Sequence, residues 1–263
     1  MDIKLGELVK SSRTLTITAT KEDREHEEGH VIEELKAGIT IAGFRKGKAP
    51  LRLVREKIGE EKIREHVMSH LLSHGLSDAI KKESLQMVGN PKLTKTDSSG
   101  ADWVFEVDVP IYPTIKLENY QDKIKKAKSK AKPETEEDKL KVVFDTLLEL
   151  HKFDVPQILV DEEVDRALTR LVQQTQTLNL SVADYLKSLK KTPESLREEY
   201  FQTATESLKL DFLLFAVAKD QKISVTDTEI DNLAKTSEAN PDQRSYLQAV
   251  LLRRRAVDYL LAL

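Results

Sequence analysis

Along residues 13–20 apolar and polar positions alternate: Leu15, Ile17 and Ala19 on one side, Thr14, Thr16 and Thr18 on the other. A period of two carried by β-branched residues predicts a half-buried strand. Thr20 then stands as a helix N-cap, with Glu22 and Asp23 in the first turn. This helix is polar all round over 21–30, leaves only Val31, Ile32 and Leu35 as anchors, and stops at Gly38. Beyond a loop, Pro50 opens a short helix with Leu51, Val54 and Ile58 on one side and Gly59 at its end. A longer helix over 60–82 turns Ile63, Val67, Leu71, Leu72, Leu76, Ala79 and Ile80 inward. Residues 87–93 read as extended and 97–100 as a turn. Residues 103–109 alternate again, with Trp103, Phe105, Val107 and Val109 on one face. The order β-α-α-α-β-β predicts a small α+β domain.

From residue 134 the pattern changes to helices separated by polar caps. Leu140, Phe144, Leu147 and Leu148 mark one helix that stops before Asp154-Val155-Pro156, and a second runs from Asp161 to Leu178. Ser181 to Asp184 has capping-box spacing ahead of Tyr185, Leu186 and Leu189. Thr192-Pro193 opens a long helix through Leu196, Tyr200, Ala204, Leu208, Phe212, Phe215 and Val217. Thr226 to Glu229 is another capping box, and Asn240-Pro241-Asp242-Gln243 starts the last helix. Over 209–217 apolar side chains cover most of the circumference, so this helix is central to a bundle or lines an exposed apolar surface.

Glycine sharpens the division. All 9 glycines lie at or before Gly100. The glycine-free remainder is a poor place for phosphate-cradling loops or tight hairpins and reads as all-helical. The expected fold class is an α+β domain over 1–117, a basic linker over 118–135, and an all-α domain over 136–263. The linker carries Lys123, Lys125, Lys126, Lys128, Lys130 and Lys132 before Pro133. It reads as a solvated connection or frayed helix, with a weak polyanion contact as the alternative.

With 42 Lys and Arg against 45 Asp and Glu, the net charge of -3 excludes a polyanion binder acting over its whole surface. The absence of cysteine removes disulfides, thiolate metal sites and thiol nucleophiles. The N-terminal residues lack a signal-peptide core, and no apolar run reaches the ~18 residues of a membrane span. The expected compartment is cytoplasmic, with no membrane partner.

One loop stands apart from this pattern. In Gly43-Phe44-Arg45-Lys46-Gly47-Lys48-Ala49-Pro50 two glycines bracket an aromatic ring and a basic pair. Each glycine permits a sharp turn, and Pro50 restricts Ala49. The local alternatives are an ordinary basic turn with Phe44 in the core, or a stiff tip showing Phe44, Arg45 and Lys46 to a partner that is partly anionic and partly apolar.

Catalytic constellations are missing. There is no G-x-S-x-G, no P-loop and no G-x-G-x-x-G, and the carboxylates fall in amphipathic helix patterns. His66, His70 and His74 follow one stripe of the 60–82 helix, roughly 100–180° from the centre of its buried side. Two such residues could hold a metal. Without a third ligand nearby, the stripe reads as solvent-facing, and no metal, cofactor or catalytic residue is expected.

The segment from Gly43 to Pro50 resembles the G-F-R-x-G-x-x-P signature of the trigger factor family of ribosome-associated chaperones. Tyr112-Pro113, Asp154-Val155-Pro156 with Glu163-Val164-Asp165-Arg166, Val225-Thr226-Asp227 and the stretch from Arg254 to Leu261 also fit. The resemblance implies a ribosome-binding first domain and a chaperone second domain. It implies docking through Gly43, Phe44, Arg45, Lys46 and Gly47 to protein and RNA at the tunnel exit, with nascent or unfolded polypeptides as clients. A homodimer of the free protein stays open. The family's FKBP-like isomerase domain would lie where only residues 120–134 stand, so no prolyl isomerase activity is expected. An RNA-binding or ribosome-assembly factor using the loop and the lysine run is the alternative.

Overall fold

The computed structural model describes residues 1–178, 180–237, 240 and 243–263. The chain forms two compact units, Met1–Tyr112 and Pro113–Leu263. The first is α+β and the second is all-helical.

The first unit contains β1 (Asp2–Val9), β2 (Ser12–Ala19), α1 (Lys21–Gly38), α2 (Leu51–Ile58), α3 (Glu60–Lys82), β3 (Lys92–Asp97) and β4 (Trp103–Pro110). The strands make one antiparallel sheet in the order β1-β2-β4-β3. The alternation seen in the sequence is the sheet's two faces. Leu15, Ile17 and Ala19 of β2 and Phe105, Val107 and Val109 of β4 are buried against Val31, Ile63, Val67 and Leu71 of the helices. The Thr20 cap is a full capping box with Asp23. Gly75 of α3 permits a close approach of helix to sheet: a Cβ there would lie 2.7 Å from Ile17 Cγ2.

Strand β1 is an addition to the sequence reading. It pairs with β2 through a two-residue turn in which Lys10 and Ser11 both take positive φ, 46° and 55°. Hairpins of this kind select Asn-Gly or Asp-Gly, and Lys-Ser carries no such signal. The strand itself is mostly exposed and is interrupted by an irregularity between Leu5 and Leu8.

The second unit comprises α4 (Tyr120–Ala131), α5 (Glu136–Leu150), α6 (Gln157–Thr177), α7 (Val182–Ser188), α8 (Pro193–Asp220), α9 (Asp227–Thr236) and α10 (Arg244–Ala262). Helix α8 is its spine. Leu213, Leu214, Val217 and Ala218 are buried among Val143 and Leu147 of α5 and Ala256 and Leu260 of α10. Of the two alternatives for the apolar 209–217 stretch, the central helix is the one realised. Capping boxes at Thr135, Thr192 and Thr226 start α5, α8 and α9. For the expected start of the last helix, Pro241 and Asp242 lie outside the described residues.

The lysine-rich stretch is no free linker. Helix α4 buries Tyr120 and Ile124 in the core with α5, α8 and α10. Lys128 donates to the carbonyls of Leu260 and Leu261, at 3.3 and 2.7 Å, and so caps the end of α10. Two apolar residues four apart suffice to seat a short helix once partners are present. The lysine count hid that stripe.

Candidate functional site

The loop over 39–50 joins α1 to α2 in the first unit. It is built from two successive turns. Phe44 N–H donates to Ile41 O at 3.1 Å, and Lys48 N–H to Arg45 O at 2.9 Å. Gly43 and Gly47 occupy the third position of each turn with φ of 86° and 76°, where a residue with a Cβ is strained. Two anchors fix the base: Ile41 packs against the first core and Ala49 is buried in it. Between them Phe44 is 40% exposed, and Arg45, Lys46 and Lys48 are exposed. None of these three cations forms an ion pair among the described residues. An apolar ring and three unspent positive charges are thus held out on a short frame. That chemistry suits contact with carboxylates or phosphates around a small apolar depression.

The loop's flanks are clamped. Arg55 of α2 reaches Glu28 of α1 at 2.6 Å and Glu60 of α3 at 2.5 and 2.8 Å. Hydrogen bonding to Glu60, then the charge of Glu28, raises its guanidinium above an already high value. The fork spans the helices before and after the loop, a geometry lysine would not reproduce.

The second unit offers a different surface. Leu171, Leu186 and Leu196 form a small cluster of their own between α6, α7 and α8. Around it Val172, Leu178, Leu180 and Leu189 are exposed, Leu178 by 75%. Val172 lies on α6, Leu178 and Leu189 follow the last turns of α6 and α7, and Leu180 lies in the connection between them.

The histidine stripe departs in part from the sequence expectation. His74 is exposed as expected, whereas His70 is half-buried, 30% exposed. Its Nδ1 lies 3.0 Å from Oε1 of Glu27, a buried carboxylate of α1, and His74 Nδ1 lies 3.5 Å from Glu27 Oε2. Helix α1 covers the side of α3 that periodicity assigned to water. His26, His30 and Glu34 of α1 line the same open groove, of about 630 Å³. The two halves of this cluster are some 40 residues apart in sequence. Only the spacing of His26 and His30, again four, hinted at it. Among the described residues no group of three or more imidazoles or carboxylates could hold a metal ion, and no helix is long and apolar enough to cross a membrane.

The chain thus combines an α+β unit carrying a clamped basic–aromatic loop with a helical unit bearing exposed leucines. Comparison with known proteins gives the family. Residues 1–143 match the model of the bacterial trigger factor protein, and residues 116–262 match that of the bacterial trigger factor C-terminus. The chain belongs to the trigger factor family. Trigger factor of Halothermothrix orenii is 31% identical over 221 residues, covering 82% of this chain and 49% of that protein. Trigger factor of Streptococcus pneumoniae strain JJA is 33% identical over 108 residues, 41% of this chain and 25% of that one. The chain thus spans about half the length of the first relative and less of the second. A solved structure concerned with promiscuous substrate recognition in folding and assembly activities of the trigger factor chaperone superposes with a TM-score of 0.63. It covers 100% of this chain and 99% of that one at 15% identity, which is a likeness of fold.

Proposed function

We propose that this protein is an ATP-independent chaperone that docks on the ribosome near the exit tunnel through Gly43, Phe44, Arg45, Lys46 and Gly47. There it shields nascent polypeptides. The observation that carries the reading is the exposed Phe44 between two positive-φ glycines, beside cations that form no ion pair among the described residues. Arg45 and Lys46 pair with ribosomal carboxylates or phosphates, and Phe44 fills an apolar site between them. Clients contact the rim of Val172, Leu178, Leu180 and Leu189, where binding to exposed apolar surface needs neither nucleotide nor chemistry.

We further propose that it has no prolyl isomerase activity. The two family matches overlap over residues 116–143, so no segment between them is left for another domain. A role in binding free RNA draws less support. Lys128 is engaged by α10, and the remaining lysines of α4 have no aromatic residues interleaved for base stacking.

The test is cosedimentation with ribosomes. Phe44→Ala, Arg45→Ala and Lys46→Ala together are expected to abolish pelleting, and unchanged pelleting sinks the docking reading. A saturable rate enhancement on a proline tetrapeptide would refute the claim about isomerisation.

A further inference from the structure

Five of the 12 residues of α4 are lysine, and packing uses one of them. Lys128 reaches the carbonyls of Leu260 and Leu261 at the end of α10. Lys123, Lys125, Lys126 and Lys130 are exposed and form no ion pair among the described residues. Asp122, the one carboxylate of this helix, sits in its first turn, where it complements the helix dipole. Lys123 and Lys126 are three apart and Lys126 and Lys130 four apart, so their charges repel along one side of the helix.

The rotation of α4 about its own axis is fixed. Tyr120 and Ile124 are buried in the second core, the Tyr120 hydroxyl donates to Asp220 Oδ2 at 3.1 Å, and Gln121 Nε2 donates to the Tyr259 hydroxyl at 2.7 Å. At about 100° per residue, Lys123, Lys126 and Lys130 fall within about 60° of one another. They stand roughly 130° round the helix from the inner stripe of Tyr120, Ile124 and Lys128. The three make a row about 10 Å long that the buried anchors hold outward. Lys125 lies on the other flank.

The chemistry of the row selects its partner. Base stacking needs exposed aromatic residues, and α4 has only the buried Tyr120, so the row meets a backbone rather than bases. Binding at a membrane surface needs an apolar face beside the cations, and the apolar residues of α4 point into the core. Protein carboxylates favour the arginine fork, whereas lysine serves phosphate as a point charge. The whole chain has a net charge of -3, so the attraction is local to this row. We propose that Lys123, Lys126 and Lys130 bind the phosphate backbone of double-stranded RNA on the ribosome, as a second anchor in addition to the 39–50 loop. This rests on the docking reading above. Duplex RNA is recognised through its backbone and shape, which needs no aromatic residues.

Two measurements on the full chain test this, each over a range of salt concentrations: ribosome pelleting, and fluorescence anisotropy on a labelled RNA duplex of about 20 base pairs. Joint Lys123→Gln, Lys126→Gln and Lys130→Gln is expected to weaken both at least about tenfold at about 0.1 M salt. It should also lower the slope of log affinity against log salt by about 2–3. Glutamine has nearly the helix propensity of lysine, so helical circular dichroism should not change. Joint Lys187→Gln, Lys190→Gln and Lys235→Gln removes the same charge from exposed positions elsewhere in the second unit and should leave both readouts unchanged. Wild-type binding by the α4 variant overturns the proposal, as does an equal loss in the other triple variant. Weakened pelleting with duplex binding intact would assign the row to acidic ribosomal protein and overturn the RNA contact. Row-dependent binding to phosphatidylserine vesicles without duplex binding would overturn it too. Failure of loop docking reads out separately, as wild-type pelleting by the joint Phe44, Arg45 and Lys46 variant.

Discussion

Arg55 Nη1 lies 2.6 Å from Glu28 Oε1, so the helix that leaves the 39–50 loop is tied to the helix that enters it. The same guanidinium holds Glu60 at the start of α3. With Arg55 44% and Glu60 70% exposed at the side chain, the Arg55–Glu60 pair adds little to stability. The effect on geometry is larger, because the loop's ends are fixed where its glycines turn. Arg55→Ala is expected to lower the melting temperature little and to weaken ribosome pelleting several-fold. Arg55→Lys should behave like Arg55→Ala, since a single ammonium cannot span both carboxylates. Wild-type pelleting by both variants would show that the loop holds its shape unaided.

Docking by this loop should depend on salt. Three cations on anionic partners imply roughly a 20- to 40-fold loss in affinity between about 0.05 and 0.2 M monovalent salt. Phe44→Ala removes apolar contact and leaves charge untouched. It should therefore weaken docking at every salt concentration with the slope retained, whereas joint Arg45→Ala and Lys46→Ala should flatten the slope. Pelleting at four salt concentrations separates the two. Equal slopes for wild type and the double variant would show that the cations do not meet the partner's charge.

Gly75→Ala tests the packing beneath the site. Alanine favours a helix over glycine by about 1 kcal/mol. Here the added methyl would sit 2.7 Å from Ile17 Cγ2, and Ile17 is fully buried and cannot move aside. Overpacking costs about 1–3 kcal/mol and should win. Urea unfolding followed by Trp103, the chain's single tryptophan and part of the same core, is expected to show net destabilisation. A stabilised Gly75→Ala would mean that α3 shifts freely on the sheet.

Ile124→Ala separates a packed helix from a linker. In a solvated linker the change costs almost nothing. In the core with Leu213 and Leu260 it should cost about 2–5 kcal/mol. Helical circular dichroism during thermal unfolding measures it, and an unchanged midpoint would restore the linker reading.

What the sequence made legible was local. Thr20, Thr192 and Thr226 announced helix starts because a cap and its partner lie three residues apart. The strands β2 and β4 showed because each alternates over a buried face. The loop's turns were visible in Gly43 and Gly47. Other features depended on what packs from elsewhere. Strand β1 exists through its pairing with β2, helix α4 through a core completed by α10, and the Glu27 groove through α1 crossing α3. Periodicity along α3 gave His70 the correct face of its own helix, but no information on the neighbour covering that face.

Tyr120 provides a test of the second unit through pH. Its hydroxyl donates to Asp220 Oδ2 at 3.1 Å and accepts from Gln221 at 3.0 Å. Burial, aided by Asp220, pushes its pKa up to about 12 from an ordinary 10.0. A raised folded-state pKa favours the neutral form, so its contribution is complete below about pH 10. Between about pH 10 and 12 the unfolded chain ionises while the folded one resists, and stability is lost as pH rises. At pH 8, Tyr120→Phe should be less stable than wild type by about 1 kcal/mol, the value of the lost hydrogen bonds. Above pH 10 that gap should close, because phenylalanine has no proton to lose. The other tyrosines remain in both proteins, so the difference isolates Tyr120. Melting temperatures at pH 8, 9.5, 10.5 and 11.5 measure the gap. A gap that stays constant over this range would place the Tyr120 hydroxyl in water rather than in the core.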